Sequence, residues 1–299
     1  MCSALRQARV AFRDAAHPVA ALSVLGLASA SFVAASSGHA ECAPSNVALS
    51  PAEFRSFKVS KVESLTHNTK RLRLELPSED HETGLHVASF LLAKATIDGK
   101  TVMRPYTPTN LTEEKGFVEL VVKGYPSGTM SKHIVELQVG DSLEIKGPIP
   151  KFKYEANKYK KVALIAGGSG LTPCLQVAKK ICRDGSDNTE VVMIFANQTE
   201  EDIILRDEID AMQYMYPQFK VYYVLSKPSA GWKGYTGHVN KEMLKELLSS
   251  PSDDQFIGVC GPPGMMEAVS GNKAPDKTQG ELKGLLKDLG FTESQVFKF

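Results

Sequence analysis

Val162-Ala-Leu-Ile-Ala-Gly-Gly-Ser-Gly-Leu-Thr-Pro173 decides the fold of this chain. Five apolar residues in a row have the character of a strand buried on both faces. The glycine-rich turn that follows leads into a helical pattern, Pro173 to Arg183, with Thr172 suited to the cap and Pro173 to the first helical position. Three more continuous apolar runs repeat the theme: Val191–Ala196, Val221–Leu225 and Phe256–Cys260. Helical stretches separate them at Leu205–Met215 and Lys241–Leu248. Strand and helix in alternation call for parallel strands joined by crossover helices, hence a doubly wound α/β sheet. Ligands on such a sheet bind beyond the carboxyl ends of its strands. Gly167-Gly168-Ser169-Gly170 and a second turn, Cys260-Gly-Pro-Pro-Gly-Met265, both follow directly on buried strands there. Glycines let a backbone approach phosphates, and a helix N-terminus supplies free N–H groups. The first turn is not the G-x-G-x-x-G fingerprint, so the standard dinucleotide grip is not implied.

Upstream the period changes. Phe57–Val62 and Lys70–Leu76 alternate apolar with polar residues, and Val102–Tyr106, Gly116–Lys123 and Ser142–Lys146 continue in short strands. Asp98-Gly99 and Gly140-Asp141 mark tight turns. With one brief helical stretch, Met130–Leu137, this half predicts a small antiparallel β-barrel. Arg104-Pro-Tyr-Thr-Pro-Thr109 ends one strand: its arginine suits a pyrophosphate, its tyrosine a planar ring. Gly128-Thr-Met-Ser131 opens the helix and adds N–H donors.

The first fifty residues stand apart. Arg6, Arg9 and Arg13 precede an uncharged run, Val19–Val33, and Asp14 is the only acid before Glu41. That composition fits a mitochondrial targeting segment followed by a membrane anchor. A secretory signal ending near Gly38-His-Ala40 and a plain apolar segment are the alternatives. The domain plan is therefore 1–50 for targeting, anchor and linker, 51–153 for the barrel, and 160–299 for the parallel-sheet domain. With 35 basic and 34 acidic residues the chain has no basic stripe, which speaks against nucleic-acid binding. The five scattered cysteines form no metal-ligand spacing and no disulfide framework, so no metal site is expected.

Taken in order, these segments resemble the NADH-cytochrome b5 reductase family, within the ferredoxin-reductase-like flavoproteins, over about residues 54–299. The motif R-x-Y-[ST]-x-x-[SN] is matched by Arg104, Tyr106, Thr107 and Asn110, and G-x-M-S by Gly128, Met130 and Ser131. C-G-P-P-x-M is matched by Cys260, Gly261, Pro262 and Met265, and Phe195-Ala-Asn-Gln198 and Phe299 are family-like as well. The N-terminus and the closing stretch bring the mitochondrial branch nearest.

The resemblance implies FAD held by Arg104, Pro105, Tyr106 and Thr107, by Val122, Lys123 and Tyr125, and by Gly128, Met130 and Ser131. It implies NADH at Gly167, Gly168, Gly170, Thr172 and Pro173 and at Cys260, Gly261, Pro262 and Met265. Thr107 and Cys260 lie nearest the hydride transfer, which depends on positioning more than on acid–base chemistry. Electrons then pass singly to cytochrome b5 or a similar haem protein. Two departures stand out. Phe90 occupies a position where many members carry a histidine on a proton route. Ser226 replaces an aspartate that repels the NADPH 2′-phosphate, so NADH is expected as the usual donor, with weaker discrimination against NADPH than the family norm. The cluster Lys151, Lys153, Lys158, Lys160 and Lys161 is a candidate surface for an acidic cytochrome, with a solvated linker as the alternative. A monomer anchored by its N-terminus, at the mitochondrial outer membrane or in the intermembrane space, completes the expectation. Rival readings keep the fold but change the acceptor, or leave only a nucleotide-binding module.

Overall fold

The computed structural model describes residues 46–299. The expected targeting run and apolar anchor lie outside these residues. No helix among the described residues is long and apolar enough to cross a membrane.

The first half is an antiparallel sheet of six strands: β1 (Arg55–Thr66), β2 (Thr69–Glu75), β3 (Phe90–Ile97), β4 (Lys100–Tyr106), β5 (Phe117–Lys123) and β6 (Ser142–Ile149), in the order β4-β3-β6-β1-β2-β5. Asp98 and Gly99 both have positive φ, 50° and 71°, the backbone a two-residue hairpin turn requires between β3 and β4. Helix α1 (Thr129–Glu136) packs against β3, β4 and β5 and so covers the gap between the two edge strands. Met130 and Ile134 from its inner face join Leu72, Leu74, Leu120, Leu143 and Ile145 in one core. Ala48 and Leu49 are buried in that core too, so the unit starts a few residues before the expected boundary at 51. The stretch that reads as linker is anchored there because its two apolar side chains leave water.

The second half is a sheet in the order β10-β9-β8-β7-β11-β12, every pairing parallel. Its strands are β7 (Lys161–Gly167), β8 (Glu190–Asn197), β9 (Phe219–Leu225), β10 (Tyr235–Thr236), β11 (Gln255–Cys260) and β12 (Val296–Lys298). Helices α2 (Leu171–Arg183) and α3 (Arg206–Met215) share a core with Val162 and Leu164. Helices α4 (Lys241–Leu247), α5 (Pro263–Val269) and α6 (Gly284–Asp288) share another with Ala163 and Ile165. Alternate residues of β7 thus feed opposite faces, as a strand covered on both sides must. The strand order reverses between β7 and β11, and the crevice at their carboxyl ends is the expected ligand site of such a sheet.

Two details differ from the sequence expectation. Helix α2 starts earlier: a 3₁₀ turn at Gly168–Gly170 runs into Leu171, Gly170 takes the cap position, and Thr172 and Pro173 fall inside the first turn. Pro173 is tolerated there because the N–H groups of the first turn have no intrahelical acceptor to lose. The Cys260–Met265 segment, expected as a rigid turn, passes directly into α5, with Pro262 at the cap and Pro263 as the first residue.

Candidate functional site

The two glycine-rich turns of the parallel sheet meet. A Cβ placed on Gly170 would lie 2.2 Å from the Cys260 carbonyl oxygen, and one on Gly167 would lie 2.5 Å from Met265 Sδ. Gly170 has ordinary right-handed helical angles, so close approach rather than left-handed backbone excludes a side chain there. The sequence-predicted residues Gly167, Gly168, Gly170, Thr172, Pro173, Cys260, Gly261, Pro262 and Met265 are therefore brought together at one crevice. Burial pushes the Cys260 thiol up to about 11, with Lys273 opposing the shift, so the sulfur is a neutral thiol at pH 7.

The antiparallel half faces that crevice. The Tyr125 hydroxyl lies 2.8 Å from the Ser169 hydroxyl, directly on the Gly168–Gly170 turn. Lys123 Nζ donates to Asp202 at 2.8 Å, with both side chains largely buried. Arg71 pairs with Glu208, Lys179 Nζ donates to the Thr109 carbonyl at 3.1 Å, and the Ala88 N–H donates to Gln176 Oε1 at 2.5 Å. The segment joining the halves is fixed by Phe152, whose ring stacks on Phe256 (centroids 4.7 Å apart) and also touches Phe297 and Phe299. These contacts hold the cleft between two firmly connected walls.

On the antiparallel wall, β4 is an edge strand, and Arg104 and Pro105 are exposed on it, which is where a sheet tolerates proline. Among the described residues the Arg104 guanidinium hydrogen-bonds only to the Met103 carbonyl (2.8 Å) and pairs with no carboxylate. Tyr106 is half-buried at the strand end, its hydroxyl pushed up to about 12 by burial against the counteracting Arg104 charge. Thr107 follows, half-buried. The N-terminal N–H groups of α1, which packs against β4, have no side-chain cap, and a Cβ on Gly128 would meet Ser131 Oγ at 2.2 Å and Tyr125 Cβ at 3.2 Å. A free guanidinium, an uncapped helix N-terminus and a glycine packed against Ser131 make a cradle that fits a diphosphate.

Several predicted residues contribute differently from what their motifs imply. Val122 and Met130 point into the barrel core, leaving only their backbone to a ligand. Lys123 is engaged by Asp202. Asn110, part of the R-x-Y-T motif match, is buried and ties the segment to β5: Oδ1 accepts from Glu119 N–H and Nδ2 donates to the Phe117 carbonyl. Phe90 lies under the Lys151 ammonium (5.6 Å to the ring centroid), an apolar surface with no proton to relay.

On the far side of β8, Ser226 and the exposed Lys227 follow β9, and Tyr223, Trp232, Arg206 and Glu200 line a groove of about 810 Å³. Trp232, the only tryptophan, is the one mark of this groove in the sequence. A second groove of about 630 Å³ lies beside Tyr125, Pro126, His67 and Lys132.

Residues 56–154 match the model of an oxidoreductase FAD-binding domain, and residues 164–271 that of an oxidoreductase NAD-binding domain. A protein of Emericella nidulans named NADH-cytochrome b5 reductase 2 is 49% identical over 247 residues, covering 81% of this chain and 77% of its own. The chain belongs to the NADH-cytochrome b5 reductase family. An NADH-cytochrome b5 reductase-like protein of Arabidopsis thaliana is 47% identical over 84% of this chain and 78% of its own. The cytochrome b5 reductase domain of Ulva prolifera nitrate reductase superposes with a TM-score of 0.75 at 30% identity, covering 85% of this chain and all of that domain. The two family models fall on the antiparallel and the parallel half respectively, so the first half is the FAD-binding domain and the second the NAD-binding domain.

Proposed function

We propose that this protein is an NADH-dependent flavoprotein reductase that delivers electrons to cytochrome b5 or a similar haem protein. The observation that carries the reading is the meeting of a diphosphate cradle (Arg104 and the Gly128–Ser131 turn) with the paired glycine turns of a parallel sheet across one cleft. Arg104 and the α1 N-terminus would hold the FAD diphosphate, with Tyr125 beside it, and Tyr106 and Thr107 would flank the flavin ring. Gly167–Pro173 and Cys260–Met265 would hold the nicotinamide dinucleotide. Bound FAD supplies hydride acceptance and one-electron release. The protein's own contribution is position and water exclusion, because the neutral Cys260 thiol and Phe90 offer no proton relay. Lys227 beside Ser226 donates to Gln198 Oε1 at 3.5 Å and pairs with no carboxylate among the described residues, which supports weaker discrimination against NADPH.

Of the five lysines expected to meet an acidic cytochrome, Lys153, Lys160 and Lys161 pair with Glu155, Asp254 and Glu190. Lys151 and Lys158 have no carboxylate partner among the described residues and are the better docking groups of the set. We place the monomeric protein at a mitochondrial membrane, anchored by the Val19–Val33 run, which raises the effective concentration of an anchored partner. Turnover with cytochrome b5 and with ferricyanide tests the reading. Lys151→Glu with Lys158→Glu should weaken the cytochrome reaction in a salt-dependent way and spare ferricyanide. Equal loss with both acceptors refutes the docking surface, and no turnover of cytochrome b5 by wild type refutes the acceptor.

A further inference from the structure

The ammonium of Lys179 stands in an odd place for a lysine. It is half-buried on α2, pairs with no carboxylate among the described residues, and donates to the Thr109 carbonyl at 3.1 Å. Lysines seldom leave water without a charged partner. Burial pulls the group below lysine's usual range, and the more distant charges of Glu208, Glu119 and Glu114 oppose that shift. Gln176 lies three residues earlier on the same helix face, and its Oε1 accepts from the Ala88 N–H at 2.5 Å. Ala88 needs holding, because its φ of 58° is a left-handed backbone that alanine rarely adopts. One face of α2, a helix of the NAD-binding half, therefore grips the FAD-binding half at two points.

Those two points flank the flavin segment. Thr109 closes the Arg104–Thr109 stretch and is buried, its N–H donating to the Glu119 carbonyl at 3.0 Å and its hydroxyl to Glu119 Oε1 at 2.8 Å. Only Pro108 separates it from Thr107, and the fixed φ of a proline passes a shift of Thr109 on rather than absorbing it. Ala88 lies three residues before Leu91, which pairs with Tyr106 across β3 and β4. In the other direction α2 runs back about 12 Å from Lys179 to Leu171, where Gly170 packs against Cys260. We propose that Gln176 and Lys179 are positioning residues for hydride transfer: through them α2 sets the distance between the flavin segment Tyr106–Thr107 and the nicotinamide turns at Gly170 and Cys260. This rests on the flavin and nicotinamide reading given above. Both residues act through the segments they hold, so their effect falls on the transfer step and spares nucleotide affinity.

Holoprotein carrying Lys179→Met, Lys179→Arg or Gln176→Met is compared with wild type. Tyr154→Phe is the control, since it loses hydrogen bonds to Asp187 and Thr189 and bonds to neither Thr109 nor Ala88. Each protein is measured for the limiting rate of flavin reduction by NADH, the Kd for NAD+, and the change in the oxidised flavin's visible band when NAD+ binds. Tm and FAD content are recorded alongside. Lys179→Met should slow the limiting rate about tenfold to a hundredfold, the loss that goes with a displacement approaching 1 Å. It should also shrink the NAD+-induced spectral change while Kd for NAD+ stays within about threefold. Lys179→Arg keeps a donor and should bring the rate back to within about threefold of wild type, with the spectral change restored. Gln176→Met should act in the same direction as Lys179→Met, and Tyr154→Phe should lower Tm while keeping the wild-type rate. A Lys179→Met protein with the wild-type rate and spectral change overturns the inference. A rate that falls in step with Tm across all variants, Tyr154→Phe included, overturns it as well by making the contacts structural. A wild-type flavin that NADH does not reduce overturns the flavin and nicotinamide reading and this inference with it, whereas the other two results overturn this inference alone.

Discussion

Gly170→Ala is the sharpest single perturbation of the cleft. By helix propensity alone the change should help, since alanine is favoured over glycine in helical backbone by about 1 kcal/mol and Gly170 already has φ −65° and ψ −4°. Space reverses the sign. The new methyl would lie 2.2 Å from the Cys260 oxygen, 2.5 Å from its carbonyl carbon and 2.8 Å from the Gly261 nitrogen, whereas ordinary contact begins at 3.4 Å. All three are backbone atoms of the opposing turn, so no side chain can swing away. The turns must part by about 1.2 Å, the gap between the closest approach and ordinary contact. Overpacking of this kind costs about 1–3 kcal/mol of stability. A displacement of about 1 Å in a reacting pair slows the reaction about a hundredfold. Urea denaturation measures the first effect and anaerobic stopped-flow bleaching of the flavin by NADH the second. Gly264→Ala is the matched control: it lies inside α5 with nothing within 4 Å of the added carbon, so it should be neutral or stabilise by up to about 1 kcal/mol. A Gly170→Ala protein that is as stable as wild type and reduces its flavin at the wild-type rate would refute the reasoning.

Three other outcomes follow from the same geometry. Asp202→Asn leaves Lys123 without its buried partner and should cost about 3 kcal/mol at pH 7 by denaturant melt. Burial alone would raise the Asp202 carboxyl, but hydrogen bonds from Lys123 and Thr199 hold it below the usual range. Its contribution is therefore complete above about pH 4 and lost as pH falls through the depressed folded value, so the gap between wild type and Asp202→Asn should close in acid; a gap constant down to acid unfolding contradicts this. Ser226→Asp should depress kcat/KM for NADPH about tenfold or more while sparing NADH, and a wild-type preference for NADH of several thousandfold, about 5 kcal/mol, would remove the basis for that expectation. Cys260→Ala should leave the pH dependence of flavin reduction between about pH 6 and 9 unchanged, because a thiol raised to about 11 does not ionise there; a titration that vanishes in the variant would contradict it.

Much of this architecture is legible in the sequence, and the exceptions have physical causes. Continuous apolar runs betray β7, β8, β9 and β11 because strands covered on both faces have no polar side to show. The glycine turns at Gly167 and Cys260 are legible for the same local reason, but that they touch is not, since nothing in either segment names the other. The start of α2 was displaced because Thr172 and Pro173 look like cap residues, whereas a 3₁₀ turn of glycines begins the helical path first. Strand β12 is hidden by Lys298, which reads as surface but is buried, its ammonium donating to the carbonyls of Asn272 and Glu281 at 3.2 and 2.8 Å. The pair Lys123–Asp202 joins residues far apart in sequence, so a lysine expected beside a phosphate proves to tie the two walls together. The hold of Gln176 and Lys179 on the antiparallel half shows only once both halves are in place.

The central claim is that the two walls form one flavin and nicotinamide cleft. Its most direct measurement is the visible absorption spectrum of the purified protein, recorded without oxygen before and after addition of NADH. The account predicts a yellow protein with bound FAD whose flavin band bleaches on mixing with NADH. A colourless protein that still binds NADH, or a yellow one that NADH leaves unbleached, would contradict it.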